Sequence, residues 1–412
     1  MNAFSLVFLA ALAIATATRL WLAWRHVNHV TAHRACVPDS FAVEIDLAAH
    51  QKAADYTCAK TRFAMTGVLG DAVILLALTF GGVLEWLHGV SAAWFADGIV
   101  RGLVLLVLVG ALMTAADLPF GLYRTFVIEQ RFGFNKMTPG LYFLDFAKSL
   151  ALAAAFGLPL GAIVLWLMAT AGEYWWAWAW LTWVAFNVFM VAAYPTWIAP
   201  LFNRFSPLQD PELKDRVERL VARCGFKVKG LMVMDGSLRS SHGNAYFTGF
   251  GSSKRIVFFD TLLAHLNPGE VEAVLAHELG HFKLRHVVKR MAWLALASLG
   301  FMWLLGWLMQ QPWFYHGMNV HSPSTAMALV LFAIVLPQFT ILLQPLGAML
   351  SRRHEFEADE YAARHASARD LVSALIKLYR DNAATLTPDP LHSAFYDSHP
   401  PAVARIARLQ KA

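Results

Sequence analysis

His277 and His281 stand four residues apart in the run His277-Glu278-Leu279-Gly280-His281. On an α-helix, residues i and i+4 share a face, so the two imidazoles can grip one metal ion. Glu278 then projects beside the ion, where a carboxylate can take a proton from water activated by the metal. A hydrolytic metal centre also needs a third protein ligand and an open position for water. The best candidate lies in Arg352-Arg353-His354-Glu355-Phe356-Glu357-Ala358-Asp359, where Glu355 and Asp359 are again four apart. Glu355 can bind a metal while Asp359 accepts the outer N–H of a ligand histidine and fixes its orientation. Glu357 points elsewhere on such a helix. A charged helix that merely follows a membrane span would carry the same residues, and the spacing alone leaves both readings open.

The elements that must hold these groups are partly legible. Asn267-Pro268-Gly269-Glu270 reads as a helix start, with a capping Asn, Pro in the first turn and Glu at the third position. Val271, Val274, Leu275 and Leu279 form an apolar stripe beyond it. The pattern predicts a helix running through His281 and continuing towards the next membrane span. Another helix is predicted over 210–224, with Leu213, Val217, Leu220 and Val221 on one face. Short buried strands are predicted at 230–235 and 254–260, and a further strand at 244–249.

The composition places this machinery in a membrane protein: 58% of residues are hydrophobic and only 15% charged. Seven segments reach the roughly 20 apolar residues needed to cross a hydrocarbon core: 3–24, 64–87, 103–123, 150–171, 176–198, 288–309 and 326–350. Trp175, Trp176, Trp178, Trp180 and Trp183 suit a lipid–water interface. The first apolar run shows no convincing small-residue cleavage site and reads as a retained anchor. Cys36, Cys58 and Cys224 form no CxxC pair, which argues against a disulfide framework and against thiolate metal ligands.

Basic charge alternates between the loops. Arg25, Arg34, Lys52, Lys60 and Arg62 sit in the first, and only Arg101 in the second. The third carries Arg124, Arg131, Lys136 and Lys148, whereas the fourth has Glu173 and no Lys or Arg. The fifth is basic, 310–325 holds no Lys or Arg, and the tail opens with Arg352-Arg353. The positive-inside rule then puts the N-terminus outside and the polar blocks 203–286 and 351–412 together on the cytoplasmic side. The expected organisation is membrane helices over 1–202, a first metalloprotease part over 203–286, two further membrane helices over 287–350 and a second metalloprotease part over 351–412. The expected fold class is an all-α multi-pass membrane protein with a small α+β metalloprotease domain on the cytoplasmic side.

The chain closely resembles the CAAX prenyl proteases of the Ste24 type, integral-membrane zinc metalloproteases of family M48. The resemblance is carried by His277-Glu-Leu-Gly-His281, Arg353-His-Glu355-Phe-Glu-Ala-Asp359 and Ser398-His399-Pro400-Pro401. Further matches are Glu129-Gln-Arg-Phe-Gly-Phe-Asn135-Lys136, Pro200-Leu-Phe-Asn-Arg-Phe-Ser-Pro-Leu208 and Ser241-His-Gly-Asn244-Ala-Tyr-Phe247. It implies one Zn²⁺ per chain on His277, His281 and Glu355, with Glu278 as catalytic base and Asp359 in support. It implies that His399 stabilises the oxyanion, and that Arg405 orients His399, Glu355 or a substrate carboxylate. Asn244, Ala245, Tyr246 and Phe247 would form an edge strand on which the substrate peptide pairs. Seven helices enclosing a chamber are implied as well, and Asp71, Glu85, Asp117 and Asn187, in or beside spans, suit a wet interior or polar helix packing.

The partners expected are the lipid bilayer and a peptide, prenylated or not, cut near its C-terminus; no nucleic acid is expected, and the chain is read as a monomer. Its shortness, its alanine content and a Leu-Gln-Lys-Ala end without an ER-retention signal suggest a bacterial inner-membrane protein. Bacteria generally lack CAAX prenylation, so the resemblance names a chemistry without naming its client. An HtpX-like quality-control protease is the alternative, although that group has fewer spans. A transporter or sensor carrying a degenerate zinc site is a further alternative, but every expected ligand and Glu278 are intact.

Overall fold

Apolar runs with few charges can satisfy their backbone polar groups in lipid only as helices or closed barrels. The computed structural model, described over residues 1–226, 230–248 and 255–411, has seven helices long and apolar enough to cross a membrane. They are Ala3–Ala32, Leu47–Leu78, Ile99–Phe132, Pro139–Thr170, Gly172–Phe202, His286–Leu308 and Thr325–His365. Between 11% and 39% of the most apolar window of each is buried inside the protein. Their mutual core includes Phe8, Leu78, Leu105, Leu165, Phe314 and Leu331.

The number of spans agrees with the hydropathy reading, but several bounds do not. The second was expected over 64–87, yet its helix starts at Leu47, capped by Asp46, and stops at Leu78. Gly82 then takes φ 75°, and Val83–Trp94 forms a separate helix. A Gly-Gly pair supplies the backbone freedom for that break, which apolarity alone does not register. The fourth helix begins at Pro139 behind the Thr138 cap rather than near residue 150, because backbone hydrogen bonding continues through polar residues that hydropathy excludes. For the same reason the seventh runs well past the expected span. After Pro337 a 3-10 turn, Ile341–Leu343, leads into Gln344–His365, the helix that carries Glu355 and Asp359.

A four-stranded sheet builds the polar part: β1 (Phe205–Pro207), β2 (Gly230–Met234), β3 (Ala245–Thr248) and β4 (Arg255–Phe259). The spatial order is β1-β2-β4-β3. β2 runs parallel to β4, while β3 pairs antiparallel with β4, Ala245 opposite Phe258 and Tyr246 opposite Val257. β2, β3 and β4 lie within the predicted stretches 230–235, 244–249 and 254–260, of which residues 249 and 254 lie outside the described residues, and β3 is an edge. The predicted 210–224 helix appears as Pro211–Arg223, capped by the Asp210 side chain.

Residues on both sides of spans six and seven share one apolar core. Leu213, Val217 and Leu220 meet Ile256 and Phe258 from the sheet, Val271, Leu275 and Leu279 from the HExxH helix, and Ala362, Leu371 and Leu409 from the C-terminal segment. Each fully buried leucine or isoleucine there contributes about 1.5–3 kcal/mol. This shared core brings the two polar stretches together.

Candidate metal centre and active site

The HExxH helix is Pro268–Lys283, and its start is the predicted one. Asn267 Oδ1 accepts from Glu270 N (3.0 Å), and Glu270 Oε2 accepts from Asn267 N (2.8 Å). Glu270 is 1% exposed and also receives Ser373 Oγ (2.6 Å) and Lys377 Nζ (2.8 Å). Burial alone would raise the pKa of this carboxyl, but Lys377, Ser373 and the Asn267 N–H hold it below the usual carboxylate range. The cap therefore ties the helix to Ala368–Asp381, fixing one end of the scaffold. At the other end the expected continuation into span six fails. Leu284 ends the helix, Arg285 adopts φ 56°, and a new helix begins at His286. A left-handed residue reverses the local screw, so the two helices cannot share one axis.

Gly280 lets the HExxH helix approach Gln344–His365 closely. A Cβ there would stand 3.1 Å from Ala358 Cα and 3.2 Å from Ala358 O. That contact places Glu355 against the two histidines. His277 Nε2 lies 3.1 Å from His281 Nε2 and 3.5 Å from Glu355 Oε2, and His281 Nε2 lies 3.2 Å from Glu355 Oε1. Bonds of roughly 2.0–2.2 Å from a tetrahedral centre put neighbouring donors about 3.3–3.5 Å apart. The donor set thus fits a divalent cation in both type and spacing. Two further observations agree. Facing imidazole lone pairs repel unless a positive charge lies between them. Glu355 Oε2 is buried without an aligned donor, although His399 Nδ1 stands 2.6 Å away.

Around this trio sits the support. Asp359 Oδ1 is 2.9 Å from His277 Nδ1, which leaves Nε2 of that ring free to ligate. Burial disfavours a charged His277, but the hydrogen bonds to Asp359 and Glu355 outweigh it, and its pKa is raised to about 9. Arg405 is buried and reaches Asp359 with Nε (2.8 Å) and Nη2 (2.6 Å), while its Nη1 lies 3.7 Å from Glu355 Oε2. Its principal partner is thus Asp359, a contact absent from the sequence-based expectation, which named His399, Glu355 or a substrate carboxylate. Glu278, half-buried beside His277, makes no hydrogen bond or ion pair among the described residues. His399 is 60% exposed on the approach to the trio.

The loop bearing His399 is held by Arg352, whose Nη1 donates to the carbonyls of Ser393 (3.1 Å), Ala394 (3.3 Å) and Asp397 (3.0 Å). Sequence reasoning missed this role because backbone carbonyls leave no mark in a sequence. It also missed Asn382, which receives Gly243 N (3.2 Å) and faces His242 Nδ1 (3.1 Å), fixing the turn before β3. Of the candidate strand residues, Ala245 and Tyr246 pair with β4 at the sheet edge, as does the Phe247 backbone, and Asn244 O accepts from Phe259 N (3.0 Å). The Asn187 Nδ2 donates to Trp183 O one turn earlier in its own helix (2.8 Å). Glu85 is bound by Ser322 Oγ and the His321 N–H, capping a loop between spans.

Residues 26–204 match the family model described as CAAX prenyl protease N-terminal, five membrane helices, and residues 207–412 match peptidase family M48. The chain is 35% identical to the CAAX prenyl protease 1 homolog of Arabidopsis thaliana over 87% of each chain. It is 32% identical to the CAAX prenyl protease 1 homolog of Homo sapiens, covering 94% of this chain and 90% of that one. The crystal structure of S. mikatae Ste24p is similar with a TM-score of 0.93 at 30% identity, covering 99% of both chains.

Proposed function

Because this chain belongs to peptidase family M48 and couples that domain to the CAAX prenyl protease membrane helices, we propose that it cuts membrane-associated peptides near their C-terminus. It is a multi-pass membrane metalloprotease. We assign the metal as zinc, one per chain, held by His277, His281 and Glu355, and we take membrane-associated C-terminal peptides, prenylated or not, as the substrate class. The observation that carries this reading is the convergence of three N and O donors, with Asp359 behind His277 and Glu278 beside it without a hydrogen bond or ion pair among the described residues.

Bound zinc supplies a Lewis acid that polarises a carbonyl and lowers the pKa of water to roughly 7. The residues do the rest. Glu278 takes a proton from the attacking water as its oxygen joins the scissile carbonyl carbon, then passes that proton to the amine as the C–N bond breaks. His399 offers an N–H to the oxygen that gains negative charge. Asp359 keeps His277 in the ligating tautomer, and Arg405 balances the charge of Asp359. β3, with Asn244, Ala245, Tyr246 and Phe247, offers an unpaired edge to which an extended substrate can add as a further strand.

Loop charge supports an outside N-terminus, with blocks 203–286 and 351–412 forming one cytoplasmic domain, and we take the membrane to be a bacterial inner membrane. A monomer suffices, since every proposed ligand comes from one chain. The deciding assay is cleavage of a farnesylated CAAX peptide by wild type, Glu278→Gln and chelator-treated protein. Glu278→Gln is expected to retain metal and lose about 10²–10⁴-fold in rate, with chelation abolishing turnover. Absence of cleavage of both prenylated and unprenylated peptides by metal-loaded wild type would overturn the proposal.

A further inference from the structure

Ligand His281 has an outer nitrogen that no assigned residue accounts for. Its Nδ1 lies 2.9 Å from His286 Nδ1, and His286 Nε2 lies 3.1 Å from Glu357 Oε2. We propose that His286 and Glu357 are positioning residues that lock His281 in its ligating tautomer, as Asp359 does for His277. The inference rests on the metal site proposed above. If Nε2 of His281 faces the metal, its Nδ1 must carry a proton and needs an acceptor. His286 Nδ1 can accept only if that ring holds its proton on Nε2. Glu357 is placed to receive that Nε2–H and is itself engaged by Arg353 Nε at 3.0 Å. One proton arrangement therefore satisfies every contact in the chain: His281 Nδ1–H to His286 Nδ1, and His286 Nε2–H to Glu357.

Two further features hold His286 in this role. The ring is 4% exposed, and the left-handed turn at Arg285 folds it back onto His281 five residues earlier. His354 covers its other face, the rings 4.1 Å apart and 8° from parallel. His286, His354 and Glu357 lie close enough to suggest a second metal site, but imidazole lone pairs lie in the ring plane. In parallel stacked rings they run side by side and do not converge on one ion. The relay accounts for the cluster better.

The test uses His286→Leu, His286→Asn and Glu357→Leu in the full-length protein, checked for monodispersity. Metal retention is measured by competition with a chromophoric chelator, alongside the visible spectrum of the cobalt-loaded form. Asn Oδ1 occupies nearly the position of His Nδ1 and can still accept from His281. His286→Leu is expected to hold metal about 10–100-fold more weakly, Glu357→Leu to shift in the same direction by less, and His286→Asn to stay close to wild type in affinity and spectrum. Unchanged retention in monodisperse His286→Leu, or a His286→Asn protein as weak as His286→Leu, would overturn the inference. Wild type that holds metal but cuts no peptide would overturn the proposed function alone, whereas wild type that holds no metal would overturn both.

Discussion

At the scale of single residues the site is a balance of buried charge. Asp359 and Arg405 are 2% and 6% exposed and bonded through two nitrogens. Removing one partner of such a pair strands the other, at a cost of about 3–5 kcal/mol. Arg405→Met is therefore expected to lower the unfolding temperature sharply, and pairing it with Asp359→Asn should recover much of the loss; no recovery in thermal unfolding would show that the two act separately. The i, i+4 pairs were legible because they are local: His277 with His281 and Glu355 with Asp359 follow from helix geometry. Arg405 to Asp359 was not, because 46 residues separate them and only folding chooses the partner. His286 escaped for a different reason. A residue five positions from His281 lies off the helix face of His281 until a left-handed residue breaks the helix.

Elements set the precision with which those residues meet. Gly280 permits the HExxH helix to touch the backbone at Ala358, and a methyl group there must push the helices apart by a few tenths of an ångström. Gly280→Ala is expected to weaken metal retention and lower turnover while leaving the protein monodisperse; wild-type values for both would mean the contact has slack. The capping network of Glu270 makes a pH-dependent contribution. Its folded pKa lies below its unfolded value of about 4.3, so the stabilisation is present above that value and lost as pH falls through the folded pKa. Glu270→Gln should lower stability by about 1–2 kcal/mol at pH 7. The gap should narrow below about pH 4, as thermal unfolding at the two pH values would reveal. Asn267 and Glu270 were readable three residues apart; Ser373 and Lys377, more than a hundred residues on, were not.

Over the whole molecule, the membrane helices and the C-terminal segment are clamped at Asp389. Its carboxylate receives Arg25 Nε from the first span (3.0 Å) and the N–H groups of Leu391 and His392 (3.1 and 3.0 Å). His26 of the first span stacks on His392 at 4.0 Å. Asp389→Ala removes both the cross-link and the cap of helix Pro390–Tyr396, so it should lower the unfolding temperature more than Arg25→Ala does. Equal shifts would mean that the cap contributes nothing. A cap of this kind is worth about 1 kcal/mol, and the buried carboxylate adds to it.

Composition and periodicity by themselves pointed to seven membrane helices, three of the four described strands, the capped HExxH helix and the i, i+4 pairs His277–His281 and Glu355–Asp359. These depend on apolar area and on repeats within a few residues, which the order of amino acids records directly. The breaks after the second membrane helix and after the HExxH helix were settled by backbone conformation at Gly82 and Arg285. The partners of Arg405, His281 and Arg352 were settled by packing between distant segments. Such contacts gain free energy only after the chain has closed long loops, so tertiary structure alone decides them.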